Sequence, residues 1–218
     1  MVHIVTAPEF WKQYSRRDYQ LVYPQMSHAT AYITPRSPRS SWFPELVKYL
    51  ELEITFITKD EVDNFGEVFP LRKTPAIVTA GGFKLTETLA IITYLVEVSS
   101  KPEFEGVTEE ERALNLRWLS FFNTDVMQAF YLVNHANTEK ARHDSLAKVL
   151  HLIGCVETCL QERNTKFLSS NVVLVSDIFI YHILIHIPTL TQFPLVNRYF
   201  EAVQLHPIIS NKLGDNSK

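Results

Sequence analysis

Apolar and polar positions follow two rhythms along this chain, and the change falls near residue 100. Between His28 and Leu95 the segments are short and alternate in type. Ala29-Thr30-Ala31-Tyr32-Ile33-Thr34 is β-branched and aromatic, which predicts a strand. Pro35 to Ser41 is a turn rich in Pro, Ser and Arg. Behind it Leu46, Val47 and Leu50 recur at helical spacing, with Pro44 suited to a first helical turn. Glu53-Ile54-Thr55-Phe56-Ile57-Thr58 alternates as a strand does, and Asp60 to Val68 reads as a short polar helix. Ala76 to Thr79 and Gly82 to Leu85 are two brief strands around Ala80-Gly81-Gly82, a hairpin signal. Thr86 to Val98 returns to helical period through Leu89, Ile92 and Leu95. The predicted order is β-α-β-α-β-β-α.

After Ser99-Ser100-Lys101-Pro102 the period is helical almost throughout. Thr108-Glu109-Glu110-Glu111 is a capping box, a hydroxyl for the N3 amide and a carboxylate reaching back. Leu114, Trp118, Phe121, Phe122, Met127 and Phe130 then supply one wide apolar face. Leu146, Val149, Leu150, Ile153, Val156 and Leu160 predict a second long helix. A third covers Ser176 to Ile187, and a fourth Leu195 to Val203. The expected organisation is an N-terminal extension over 1–25, a small α/β domain over 26–99 and an all-α domain over 107–212.

Composition narrows the function classes. Of 218 residues, 46% are apolar and 21% charged, the balance of a packed globular chain and not of a disordered one. A net charge of −3 supplies no basic field, so no direct nucleic-acid contact is expected. No apolar run reaches the roughly 18 residues that span a bilayer. Ile178 to Leu190, the longest, is interrupted by His182, His186 and Pro188. Met1-Val2-His3-Ile4-Val5-Thr6 lacks the basic start and apolar core of a secretory leader, and two cysteines cannot build a disulfide framework. A cytoplasmic protein without membrane contact is expected.

Isolated constellations carry little chemistry. His182 and His186 lie four apart on a predicted helix but lack a third ligand nearby, so they read as core or interface histidines and no metal site is expected. Cys155 and Cys159 share a helix face at a spacing that is not the redox Cys-x-x-Cys, and read as buried, inert thiols.

One contiguous stretch is more specific. Phe69-Pro70-Leu71-Arg72-Lys73-Thr74-Pro75-Ala76, then Leu85-Thr86-Glu87-Thr88-Leu89-Ala90-Ile91 and Tyr94-Leu95, resembles glutathione-transferase-type proteins. The resemblance implies an α+β thioredoxin-like N-terminal domain followed by an all-α C-terminal domain. It also implies a cis bond before Pro75, with Lys73 and Thr74 presenting groups to the cysteinyl part of glutathione, and Glu87 and Thr88 holding its glutamyl end. A cis X-Pro bond opens main-chain donors at a tight turn, and a helix start offers free amides to a carboxylate. Glu87 adds a partner for the ligand's ammonium.

Ser37-Pro38-Arg39-Ser40 resembles the Ser-Pro-x-Ser loop of serine-type transferases, whose first serine contacts the thiol. That likeness makes Ser37 the catalytic candidate, Arg39 an electrostatic helper and Ser40 a reserve. The alternative is that these residues only form a turn and cap the first helix. Transferases also place Ser or Thr three residues before the aspartate that matches Asp177; Leu174 stands there in this chain.

Within the superfamily, Arg117-Trp118-Leu119-Ser120-Phe121-Phe122-Asn123-Thr124-Asp125 and Met26-Ser27-His28-Ala29-Thr30-Ala31-Tyr32 are similar to the N-terminal region of elongation factor 1B gamma subunits. Two functions follow from these likenesses. One is a protein-docking module in translation elongation, with elongation factor 1B subunits as partners. The other is a cytosolic glutathione transferase acting on small electrophiles, with glutathione as its ligand. Either carries a homodimer as an expectation, to which the face around Leu114 to Phe130 would contribute.

Overall fold

The computed structural model describes residues 28–187 and 190–210; the extension expected over 1–25 lies outside them. Strand β1 (Ala29–Ile33) alternates buried and half-buried positions, as a strand between two layers must. It pairs in parallel with β2 (Ile54–Thr58), Ala29 opposite Ile54, and antiparallel with β3 (Ala76–Thr79), Ala29 opposite Thr79. Strand β4 (Lys84–Thr86) completes the sheet in the order β2-β1-β3-β4. A parallel pair needs a crossover, and α1 (Phe43–Tyr49) supplies it. Pro44 occupies its first turn, where a missing N–H costs nothing.

Two local expectations shift. The single polar helix foreseen over 60–68 is a 3₁₀ turn, Lys59–Glu61, and then a one-turn helix α2 (Phe65–Val68), because Val62 between them is extended. Helix α3 is Thr88–Glu97, starting two residues later than its periodicity suggests. Thr86 is still paired with Ala76 in the sheet, and Glu87 turns the chain at φ +71°.

The second half is α4 (Glu109–Phe121), α5 (Met127–Asn134), α6 (Glu139–Glu162), α7 (Val175–Leu184) and α8 (Pro194–Gln204). The Thr108 capping box forms in full: Glu111 N–H donates to Thr108 Oγ1 at 3.1 Å, and the Glu111 carboxylate accepts from Thr108 N–H at 3.3 Å. The face expected to run unbroken from Leu114 to Phe130 is interrupted by a π-turn, Phe122–Val126, between α4 and α5. Much of that face is this chain's own core, since Trp118, Leu119, Phe122 and Val126 are buried.

Helix α7 is buried along its whole length. Its start is half a capping box: Asp177 Oδ2 accepts from Leu174 N–H at 2.8 Å, while the leucine side chain can accept nothing in return. The two halves of the chain meet where Trp42, with no exposed surface, packs on Phe179 at 6.1 Å and lies flat on the His182 ring at 5.6 Å and 10°. His186 lies 6.3 Å from Phe130, so both histidines serve aromatic packing. The expectation of buried thiols is corrected: Cys155 is exposed on α6, and Cys159 is half-buried 4.0 Å from an Arg117 nitrogen. The apolar stripe of α6 that faces the core runs through Val149, Ile153 and Val156 and leaves the cysteines on its edge.

Candidate functional site

A cavity of about 630 Å³ opens between the sheet side and the π-turn with α5. Its floor comes from the turn before β3. The Thr74–Pro75 bond is cis, and Thr74 Oγ1 shares a hydrogen bond of 2.7 Å with Thr34 Oγ1 at the end of β1. That bond ties together the two loops that carry most of the expected site residues. On one side α3 begins at Thr88, which is buried. Its preceding residue, Glu87, makes no side-chain cap, so the first amides of a ten-residue helix keep their donor capacity. Anions are favoured at such a terminus.

Arg39, Lys73, Thr74, Pro75, Glu87 and Thr88 all line this cavity. Ser37 is not among the lining residues. It belongs to the turn before α1, where its hydroxyl accepts the Arg39 N–H at 3.3 Å and its carbonyl accepts the Ser40 and Ser41 amides at 3.0 and 2.9 Å. Ser40 is fully buried, its hydroxyl 3.5 Å from the Thr34 carbonyl.

The residues of the remaining wall were not singled out as site residues, although Arg72 and Asn123 stand within stretches that carry the resemblance. Lys59 and Arg72 line it, joined by an Nζ donation to the Arg72 carbonyl at 2.7 Å. Arg72 lies tightly over Gly66, where a Cβ would meet the Arg72 Nε at 2.5 Å, so only glycine admits that placement. Asn123, Gln128 and Tyr131 enter from the helical side. Arg72, at φ +52°, and Glu87, at φ +71°, hold positive-φ conformations that cost a non-glycine residue on the order of 1–3 kcal/mol and concentrate at functional sites.

Arg39 bridges the two halves. Its Nε donates to Asn123 Oδ1 at 2.8 Å, and its Nη2 donates to the Asn123 carbonyl at 3.1 Å. Asn123 sits in the π-turn, a deviation often found beside functional sites. Burial pulls the Arg39 pKa below its usual value and the Glu87 charge opposes that pull, leaving a guanidinium that is charged in any case. Four cations, Arg39, Lys59, Arg72 and Lys73, thus surround one carboxylate, Glu87, in a chain whose net charge is negative. The lining therefore carries more positive than negative side chains.

Residues 27–97 match the family model of the glutathione S-transferase N-terminal domain. Glutathione S-transferase Y-2 of Pichia kudriavzevii is 40% identical over 192 residues, which cover 85% of this chain and all of that one. A crystal structure of a glutathione S-transferase from Pichia kudriavzevii superposes with a TM-score of 0.75 at 42% identity, covering 84% of this chain and 94% of its own. The GST-like domain of elongation factor 1-gamma from Saccharomyces cerevisiae follows at 0.71 and 25% identity, covering 85% and 92%. A relative matched along its whole length, over a thioredoxin-like sheet and a helical second half, makes this chain a member of the glutathione transferase family.

Proposed function

We propose that the protein is a glutathione transferase that binds reduced glutathione in this cavity and joins its sulfur to small electrophiles. The convergence of Thr74, Pro75, Glu87 and Thr88 on one cationic cavity carries the reading. Glutathione has two carboxylates and one ammonium, and the lining matches that charge pattern. In this reading Glu87 pairs with the ammonium. The start of α3, with Thr88, takes the neighbouring carboxylate, and Thr74 meets the cysteinyl main chain. Lys73, beside Lys59, takes the far carboxylate. Thiol activation falls to the loop after β1, which reaches the cavity through Arg39. The described parts of the two units expected over 26–99 and 107–212 frame the cleft.

Calorimetric titration with reduced glutathione tests this. Binding in the micromolar to low-millimolar range, weakened at least tenfold by Glu87→Ala, is expected; each tenfold is about 1.4 kcal/mol. No heat from a folded wild-type protein would overturn the reading.

The likeness to the elongation factor 1-gamma domain supports a second one, a docking module for elongation factor 1B subunits. Its test is co-purification from a cytosolic extract at cellular salt, with a folded bait. Retention of the exchange subunit supports docking, and its absence removes that role.

A further inference from the structure

A thiol of ordinary pKa near 8.5 is mostly protonated at neutral pH, so a transferase needs a group that stabilises the thiolate. Two candidates share the loop after β1, and their surroundings differ. Ser37 keeps its hydroxyl in the turn, against the Arg39 amide. Arg39 reaches the cavity, and its guanidinium is fixed at two points by one residue of the other half of the chain. We propose that Arg39 is the catalytic cation facing the glutathione thiolate and that Asn123 is the positioning residue that aims it. The proposal rests on the glutathione reading and names how its chemistry is driven.

The donor inventory supports the assignment. A guanidinium has five N–H groups. Two donate to Asn123, through Nε and Nη2, and the rest have no acceptor among the described residues. Half-buried donors with a fixed orientation and no acceptor are arranged for a charge that arrives with the substrate. Anchoring by Asn123 uses both its side-chain oxygen and its main-chain oxygen. The planar fork of arginine can meet both while its other edge stays free, and a lysine ammonium cannot. The anchor also lies across the cleft in the π-turn, so the cation is held over the space between the two halves and not against the sheet. The Glu87 charge acts on the guanidinium; once Glu87 pairs with the ligand's ammonium, the guanidinium is left for the sulfur.

The step balances simply. The S–H bond of glutathione breaks and its proton passes to solvent, while the thiolate charge pairs with Arg39. The sulfur lone pair then forms a C–S bond to the electrophile, and the leaving group departs with the electron pair of the bond that breaks.

The test follows the ultraviolet absorbance of the bound thiolate against pH, together with kcat and KM for an aryl chloride activated by nitro groups. In the wild type the thiolate midpoint should lie below that of free glutathione. In Arg39→Ala it should return toward the free value, with kcat reduced on the order of a hundredfold, as when a charge-stabilising donor is removed, and with binding of S-methylglutathione nearly unchanged. Asn123→Ala should move the midpoint in the same direction by less, lowering kcat more than it raises KM. Asn123→Gln should restore part of the shift, and Ser37→Ala should leave the midpoint in place. If Arg39→Ala unfolds, Arg39→Lys replaces it and should show the same direction, because the ammonium cannot meet both Asn123 oxygens. A midpoint insensitive to Arg39, or one lost in Ser37→Ala, overturns the proposal while glutathione binding stands. Failure of the wild type to bind S-methylglutathione overturns both readings.

Discussion

Asp177 has no exposed surface, and its Oδ1 accepts from the Tyr199 hydroxyl at 2.8 Å while Oδ2 accepts from Leu174 N–H. Desolvation raises its pKa from the ordinary 3.8 to about 6, against the pull of those hydrogen bonds. The native state therefore holds a proton that the unfolded chain releases between about pH 4 and 6. Stability should fall as pH rises through that interval, by on the order of 3 kcal/mol, and level off above it. His206 acts in the opposite sense. It stacks on Phe104 at 5.6 Å and 14°, and burial lowers its pKa from 6.5 to about 4, so its contribution is lost as pH falls through that range. The two slopes oppose each other in the wild type. Chemical unfolding between pH 4 and 7 should show Asp177→Asn losing stability on acidification more steeply than the wild type. A His206→Phe protein should lose less. Parallel profiles for all three would mean that neither group titrates in this way.

Among the elements, the junction before α4 is sharply constrained. Gly106 sits at φ +118°, and a Cβ there would approach the Glu111 Cβ to 2.7 Å and the Arg112 nitrogen to 2.9 Å. Thr108→Ala should cost about 1 kcal/mol for a lost cap, and Gly106→Ala on the order of 1–3 kcal/mol for the strained backbone alone, with the clash added. Thermal denaturation of both variants checks the order; a Gly106→Ala protein as stable as the wild type would show that the turn relaxes. The regular elements were legible in the sequence because their cause is periodic: alternation for β1 and β2, three-and-four spacing for α6. The π-turn was not, because Phe122, Val126, Met127 and Phe130 keep a spacing that an unbroken helix also satisfies. The candidate site divides in the same way. Lys73, Thr74, Pro75, Glu87 and Thr88 stand in two short motifs, so local chemistry reveals them. Lys59, Asn123 and Gln128 stand far apart in the chain and meet only through the fold, and Arg72 stands within the first motif without being picked out of it.

At the scale of the whole molecule, an apolar surface on α3 and α4 has no partner among the described residues. Leu89, Ala90, Thr93, Tyr94, Val98 and Leu116 surround a hollow of about 520 Å³ on the outer side of α3 and α4, and Leu116 is 54% exposed. Phe83, 50% exposed, packs its ring on Tyr94 at 5.4 Å. A second copy of this chain is the occupant expected from the sequence, and Leu116 brings the exposed edge of the Leu114–Phe130 stretch to this surface. Sedimentation at micromolar concentration should give a dimer that Leu116→Glu converts to monomers. A wild type already monomeric at that concentration would remove the homodimer. None of the helices among the described residues is long and apolar enough to cross a membrane.

The pair of hydrogen bonds from Arg39 to Asn123 has a bearing on how such a molecule can be taken apart and rebuilt. In the proposed function, recognition of the tripeptide draws mainly on the first hundred residues, whereas the aim of the cation is set by the π-turn that follows them. Grafting the sheet and its loops onto a foreign helical partner would carry over the grip on the ligand and leave the reactivity behind. On that reading affinity is portable in a shuffled or fused descendant and turnover is not, so a relative that lost the asparagine or the π-turn would persist as a binder with no enzymatic past visible in its first half.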